Sequence, residues 1–125
     1  MPFVYSNPNP KNARVGDCVI RAISIATGLD WESAYTALAL YGYEMCDMPS
    51  SNAVWGKYLK DLGYKQHIVT DTCPDCYTVR NFCHDHPSGT YIIGTGSHAV
   101  AVIDGGNYCD TWDSGDEIVI YYWEK

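Results

Sequence analysis

A chain of 125 residues with 46% hydrophobic content holds enough apolar material for one sizeable core and too little length for two, so residues 1–125 read as a single domain. The formal net charge of -7, with 8 Lys and Arg and no basic run, argues against a nucleic-acid or anionic-membrane surface, because those partners reward clustered cations. The N-terminal segment lacks the basic-then-apolar layout of a secretory signal, and no apolar run approaches the roughly 20 residues that span a bilayer, so the expectation is a soluble cytoplasmic protein whose cysteines are free thiols, metal ligands or a catalytic thiol.

Residues Met1 to Val15 read as an extended, Pro- and Asn-rich lead-in. Cys18 to Thr27 carries small and apolar residues at helical spacing and meets Gly28, a natural C-terminal stop. Asp30 is the expected N-cap of a second helix running to about Tyr41, with Trp31, Tyr35 and Leu38 on its apolar face. Met45 to Ser51 connects to a third helix, capped by Ser51 or Asn52 and carrying Val54, Trp55, Tyr58 and Leu62 up to Gly63. Tyr64 to Val69 reads as a strand, a short helix is expected around Thr78 to His84, and Pro87-Ser88-Gly89 turns the chain. Strands then follow at Thr90 to Ile93, His98 to Ile103, Asn107 to Trp112 and Glu117 to Trp123, all rich in β-branched and aromatic residues. Helices first and an antiparallel sheet afterwards make the chain α+β.

Two separated segments carry the chemistry. Gly16-Asp17-Cys18 opens the first helix, where the positive end of the dipole and unpaired N–H groups favour a thiolate and can donate to an oxyanion. His98 opens a late strand, and an acid follows on the next one; a thiol, a base and an orienting carboxylate are the parts of an activated nucleophile. Asp17 works against this, since a carboxylate beside a thiol disfavours its ionisation, so His98 and the helix N-terminus must outweigh it. Hairpin register decides which acid serves His98. A three-residue loop Asp104-Gly105-Gly106 with Gly106 left-handed pairs Ile103 with Asn107 and brings Asp110 diagonally beside His98, whereas a two-residue Gly105-Gly106 turn puts Asp113 opposite.

The order and wording of these segments resemble the papain-like cysteine peptidases, in which the nucleophile opens the long first helix, the base begins a His-Ala-Val-type strand and the third member precedes a Trp on the next. The matching positions are Cys18, His98 in His98-Ala99-Val100-Ala101-Val102, and Asp110 in Asp110-Thr111-Trp112, and the resemblance favours Asp110 over Asp113. The family's oxyanion-hole amide, six positions before the nucleophile, corresponds to Asn12. The resemblance implies N-terminal helices packed on a C-terminal antiparallel β-sheet, a minimal unit of the bacterial or phage type, a peptide or amide substrate, and a thioester acyl-enzyme with no cofactor. Trp112 would shield the His98–Asp110 hydrogen bond. Transglutaminase-like acyltransferases share the same order of residues and differ in the acceptor. A binding or assembly protein with a retired site is the non-enzymatic alternative.

A second cluster, Cys73-Pro74-Asp75-Cys76 followed by Cys83-His84-Asp85-His86, admits three readings: a zinc site in an adaptor, a redox dithiol at Cys73 and Cys76, or a loop and helix in which Cys83 simply packs inward.

Overall fold

The computed structural model describes residues 2–70, 74–104 and 106–125. In chain order the elements are β1 (Phe3–Tyr5), α1 (Cys18–Thr27), α2 (Trp31–Met45), α3 (Asn52–Asp61), β2 (Lys65–Ile68), α4 (Val79–Asp85), β3 (Tyr91–Gly94), β4 (Ala99–Ile103), β5 (Asn107–Asp110) and β6 (Tyr121–Glu124). Among the described residues the strands form one six-stranded sheet in the order β1-β5-β4-β3-β6-β2. The fold is α+β. No helix among the described residues is long and apolar enough to cross a membrane.

The sheet is mixed, and the expectation of an antiparallel one is corrected at its edge. The lead-in contributes β1, which pairs parallel with β5 through Phe3–Tyr108, Val4–Cys109 and Tyr5–Asp110. Tyr108 N–H donates to Pro2 and Ser6 N–H donates to Asp110, so the chain before α1 covers backbone groups of β5 that would otherwise stay unpaired. At the far edge β2 pairs antiparallel with β6. The last strand starts later than expected: Ile118 forms only an isolated bridge with Thr78, and regular pairing begins at Tyr121.

Both faces of the sheet are covered. Ile92, Ala99, Ala101 and Trp123 pack with Val19, Ala22 and Ile23 of α1 and with residues of α2 and α3, whereas Ile93, Val100, Val102 and Tyr108 pack on Val79, Phe82 and Cys83 of α4. The alternation Ala99, Val100, Ala101, Val102 is thus not apolar against polar but small against branched, as a strand buried on both faces requires. The two alanines let α1 lie close against β4.

Helix α1 has the expected bounds because Gly28 adopts the left-handed conformation (φ 80°) and closes the last turn with its N–H on Ser24. Helix α2 runs one turn past Tyr41, to a left-handed Cys46, and its buried face is Ala34, Leu38 and Gly42. Tyr35 stays 49% exposed, stacked on Trp31, so of the expected face Leu38 is buried, with Tyr41 packed at the edge of the core. Thr78 and Asn81 form a reciprocal capping box that starts α4.

Candidate active site

Asp17 immediately precedes α1, yet its carboxylate makes no capping hydrogen bond. It is turned instead to Arg21 of the same helix, with which it forms an ion pair, and to the indole N–H of Trp31 at 2.9 Å. Cys18, the first residue of α1, therefore keeps a backbone N–H without an intrahelical partner. The charge expected to oppose the thiolate is matched by a buried guanidinium.

His98 is placed by the turn that joins β3 to β4, where Thr95 N–H donates to the His98 carbonyl and Gly96 takes a left-handed φ of 97°. Its Nε2 lies 2.6 Å from Asp110 Oδ2. With Nε2 engaged, Nδ1 is the ring nitrogen left for the Cys18 thiol, which shares the cleft and acts on the imidazole electrostatically. The ring packs against Trp112 with centroids 4.9 Å apart, so the aromatic expected over the His98–Asp110 bond sits beside the imidazole while remaining 46% exposed itself.

Asp110 ends β5, and the hairpin has the three-residue loop: Ile103 pairs with Asn107 and Gly106 has φ 67°. Its side chain is 1% exposed and heavily hydrogen-bonded. Besides His98, Ser114 Oγ donates to Oδ2 at 2.7 Å, Thr111 N–H to Oδ1 at 2.7 Å and Arg21 Nη2 to Oδ1 at 3.1 Å. Asp113 lies elsewhere, accepting from Tyr108 and Arg80.

The electrostatics follow from these contacts. Burial pushes the Cys18 thiol up, but the His98 hydrogen bond, the Ala99 backbone N–H and the charges of His98 and Arg21 together bring it below its ordinary value. Burial pulls the His98 imidazole down, and the hydrogen bonds to Asp110 and Cys18 with their charges reverse this and carry it up to about 9. Burial raises Asp110, while His98 and Ser114 outweigh it and hold the carboxyl below the usual range. A thiol pulled down beside an imidazole pulled up is a pair that favours thiolate and imidazolium.

Cys18 and His98 lie between two cavities that share Gly16 and Ser97. One, of about 350 Å³, is walled by Trp55, Asn52 and Tyr121; the other, of about 370 Å³, by Arg14, Thr111 and Trp112. The Cys18 thiol thus has open space on either side.

The fourth expected site residue is not brought here. Asn12 is exposed at a turn with a left-handed φ of 53°, its amide oxygen faces Asn7 at 3.5 Å, and it lines neither cavity beside Cys18. The reason is local: Asn12 N–H closes a turn on Asn9, folding the lead-in back on itself before it reaches α1. Two residues that sequence reasoning passed over belong to the site, Arg21 and Ser114, both 5% exposed or less. An arginine on the inner face of an otherwise apolar helix, three residues from Cys18, was the available signal, since a buried guanidinium needs a carboxylate partner.

The second cysteine cluster disperses. Cys73 lies outside the described residues, Cys76 and His84 are exposed, and Cys83 is buried in the α4 core. His86 is stacked on Phe82 with its Nδ1 2.9 Å from the Phe82 carbonyl. Among the described residues, no three of the His, Cys, Asp and Glu side chains converge as a metal-binding group.

Comparisons of the chain with protein-family models, with curated proteins and with solved structures find no match.

Proposed function

We propose that this chain is a cysteine hydrolase of peptide or amide bonds, a minimal papain-like enzyme in which Cys18 is the nucleophile, His98 the general base and acid, and Asp110 the group that orients the imidazole. The observation that carries the reading is the chain of contacts Cys18–His98–Asp110, closed by a 2.6 Å bond inside a cleft and backed by the buried Arg21. In the reaction His98 holds the Cys18 proton, the thiolate adds to the carbonyl carbon, and the imidazolium protonates the departing amine. Water, deprotonated by His98, then cleaves the thioester. Asp110 stays ionised throughout and stabilises the imidazolium.

The test is labelling with limiting iodoacetamide at about pH 6, where an unperturbed thiol of pKa ~8.5 is mostly protonated. Fast modification of Cys18 alone, lost in His98→Ala, is the expected result. Slow labelling spread over the exposed cysteines and indifferent to His98 would instead favour a binding protein.

A further inference from the structure

Since Asn12 lies away from the cleft, the oxyanion formed during acyl transfer has the Cys18 N–H and lacks the side-chain donor that the sequence led one to expect. The larger aromatic wall of the cavity beside Cys18 contains an unused donor. Tyr121 opens β6 directly opposite Gly94, which in turn pairs with Ala99, so the three residues form one row across the sheet and point to the same face. That face is the one on which α1 lies.

The phenol is laid along this row. A Cβ on Gly94 would fall 2.6 Å from the Tyr121 hydroxyl oxygen and closer still to the ring, so only glycine there leaves room for it. Trp55 also packs against the ring, with centroids 6.1 Å apart. At the end of the row the Ala99 N–H meets the Cys18 thiol. The Tyr121 side chain thus lies over Gly94, the middle residue of the row, and lines the same cavity as Cys18 and His98. Its hydroxyl is engaged by no other group among the described residues; burial first, and then the charge of Cys18, push the phenol up, so it remains a protonated donor through the neutral range. Other donors on this wall are exposed to solvent: Ser50 and Ser97 carry hydroxyls, and Asn52 an amide whose oxygen accepts from Trp55 Nε1 at 3.0 Å.

We propose that the Tyr121 hydroxyl is the side-chain donor of the oxyanion site and, with the Cys18 N–H, receives the carbonyl oxygen of the substrate; this rests on the cysteine hydrolase reading. As the Cys18 sulfur pair forms the C–S bond, the carbonyl π pair moves to oxygen, and the phenol donates a hydrogen bond without giving up its proton. When the carbonyl reforms, the C–N bond breaks and the amine takes its proton from the His98 imidazolium. Tyr121 is then a catalytic residue that acts in the addition step and plays no part in making the thiolate.

Alkylation and acylation separate these roles, because iodoacetamide is attacked at a saturated carbon with no oxyanion, whereas p-nitrophenyl acetate passes through one. In Tyr121→Phe, Cys18 is expected to alkylate at the wild-type rate, while its acylation by p-nitrophenyl acetate, read from the p-nitrophenolate burst, slows by about 10²- to 10³-fold. Acylation at the wild-type rate with alkylation intact would overturn the Tyr121 assignment and leave the thiolate reading standing. A change confined to KM would equally overturn it, assigning the phenol to substrate binding. Absence of selective Cys18 alkylation in the wild type would remove the reading beneath the proposal and the proposal with it.

Discussion

Cys18 and Cys83 are both thiols on helices at the edge of a core, and burial is the largest influence on each, yet they end on opposite sides of an ordinary cysteine. Cys83 lies within α4, where the Cys109 thiol adds to the effect of burial and only the charge of Arg80 opposes it, and it is pushed up to about 12. Cys18 begins its helix, and His98, the Ala99 N–H and Arg21 converge on it and carry it down. Burial alone makes a thiol inert; what makes one reactive is a set of directed donors and cations bought by distant parts of the chain. The two environments lie on opposite faces of one sheet.

Removing the charge behind His98 should move Cys18 towards Cys83 and is expected to have the largest effect. In Asp110→Asn, burial still lowers His98 and the Asp110 charge is lost, leaving Cys18 to oppose burial. On the proposed function, the alkaline limb of the pH–rate profile is expected near 9 in the wild type and should move to lower pH in the variant, with a fall of about 10²- to 10⁴-fold in turnover. The stability profile should change in the same direction. Because folding raises the His98 pKa from 6.5 to about 9, its contribution is fully present below about 6.5 and disappears as pH rises through 9, a dependence that the variant should weaken. An unchanged alkaline limb would mean that Asp110 does not set the imidazole.

Arg21 tests the same comparison one layer back. It joins Asp17 to Asp110 and is itself buried, so Arg21→Met leaves two enclosed carboxylates without their shared cation. Urea denaturation should show a loss of about 3–5 kcal/mol, typical of breaking a buried ion pair from one side. Replacing Asp17 by Asn in the same chain should return part of that loss, because one of the two stranded charges is then gone. Equal stability in Arg21→Met and wild type would show that the guanidinium is not the counter-charge.

The parts of this site differ in how legible they were in the sequence, and the difference is one of range. The bounds of α1 follow from Cys18 and Gly28 being its own first residue and stop, and the register that selects Asp110 over Asp113 was present as one of two turns that Asp104-Gly105-Gly106 permits. Strand β1 was not legible: Phe3–Tyr5 is short, lies among prolines and becomes a strand only because the edge of β5 needs a partner. Asn12 matched by spacing alone, and a local turn on Asn9 took it elsewhere. The partner of Arg21 lies 89 residues away, and Tyr121 reaches the cleft only because a glycine stands opposite it on another strand. Such pairings exist only once the sheet is assembled.

Cys83 supplies the smallest expected effect and the sharpest control. Its side chain is buried in the apolar cluster that also holds Phe82, Val100 and Val102, and lines neither cavity beside Cys18. In Cys83→Ser the hydroxyl enters the same enclosure with a stronger need for a hydrogen-bond partner, which should cost about 1–3 kcal/mol in a urea titration. Cys18 labelling at about pH 6 should be untouched by the change, because no contact described for Cys18 runs through α4. In the wild type, Cys83 should resist alkylation even at about pH 9 and react only as fast as its core opens, so its labelling rate should rise with urea while that of Cys18 falls. Opposite responses of two cysteines in one tube would separate a thiol that the fold activates from one that the fold silences. Parallel responses would mean that exposure, and not the His98 pairing, governs both.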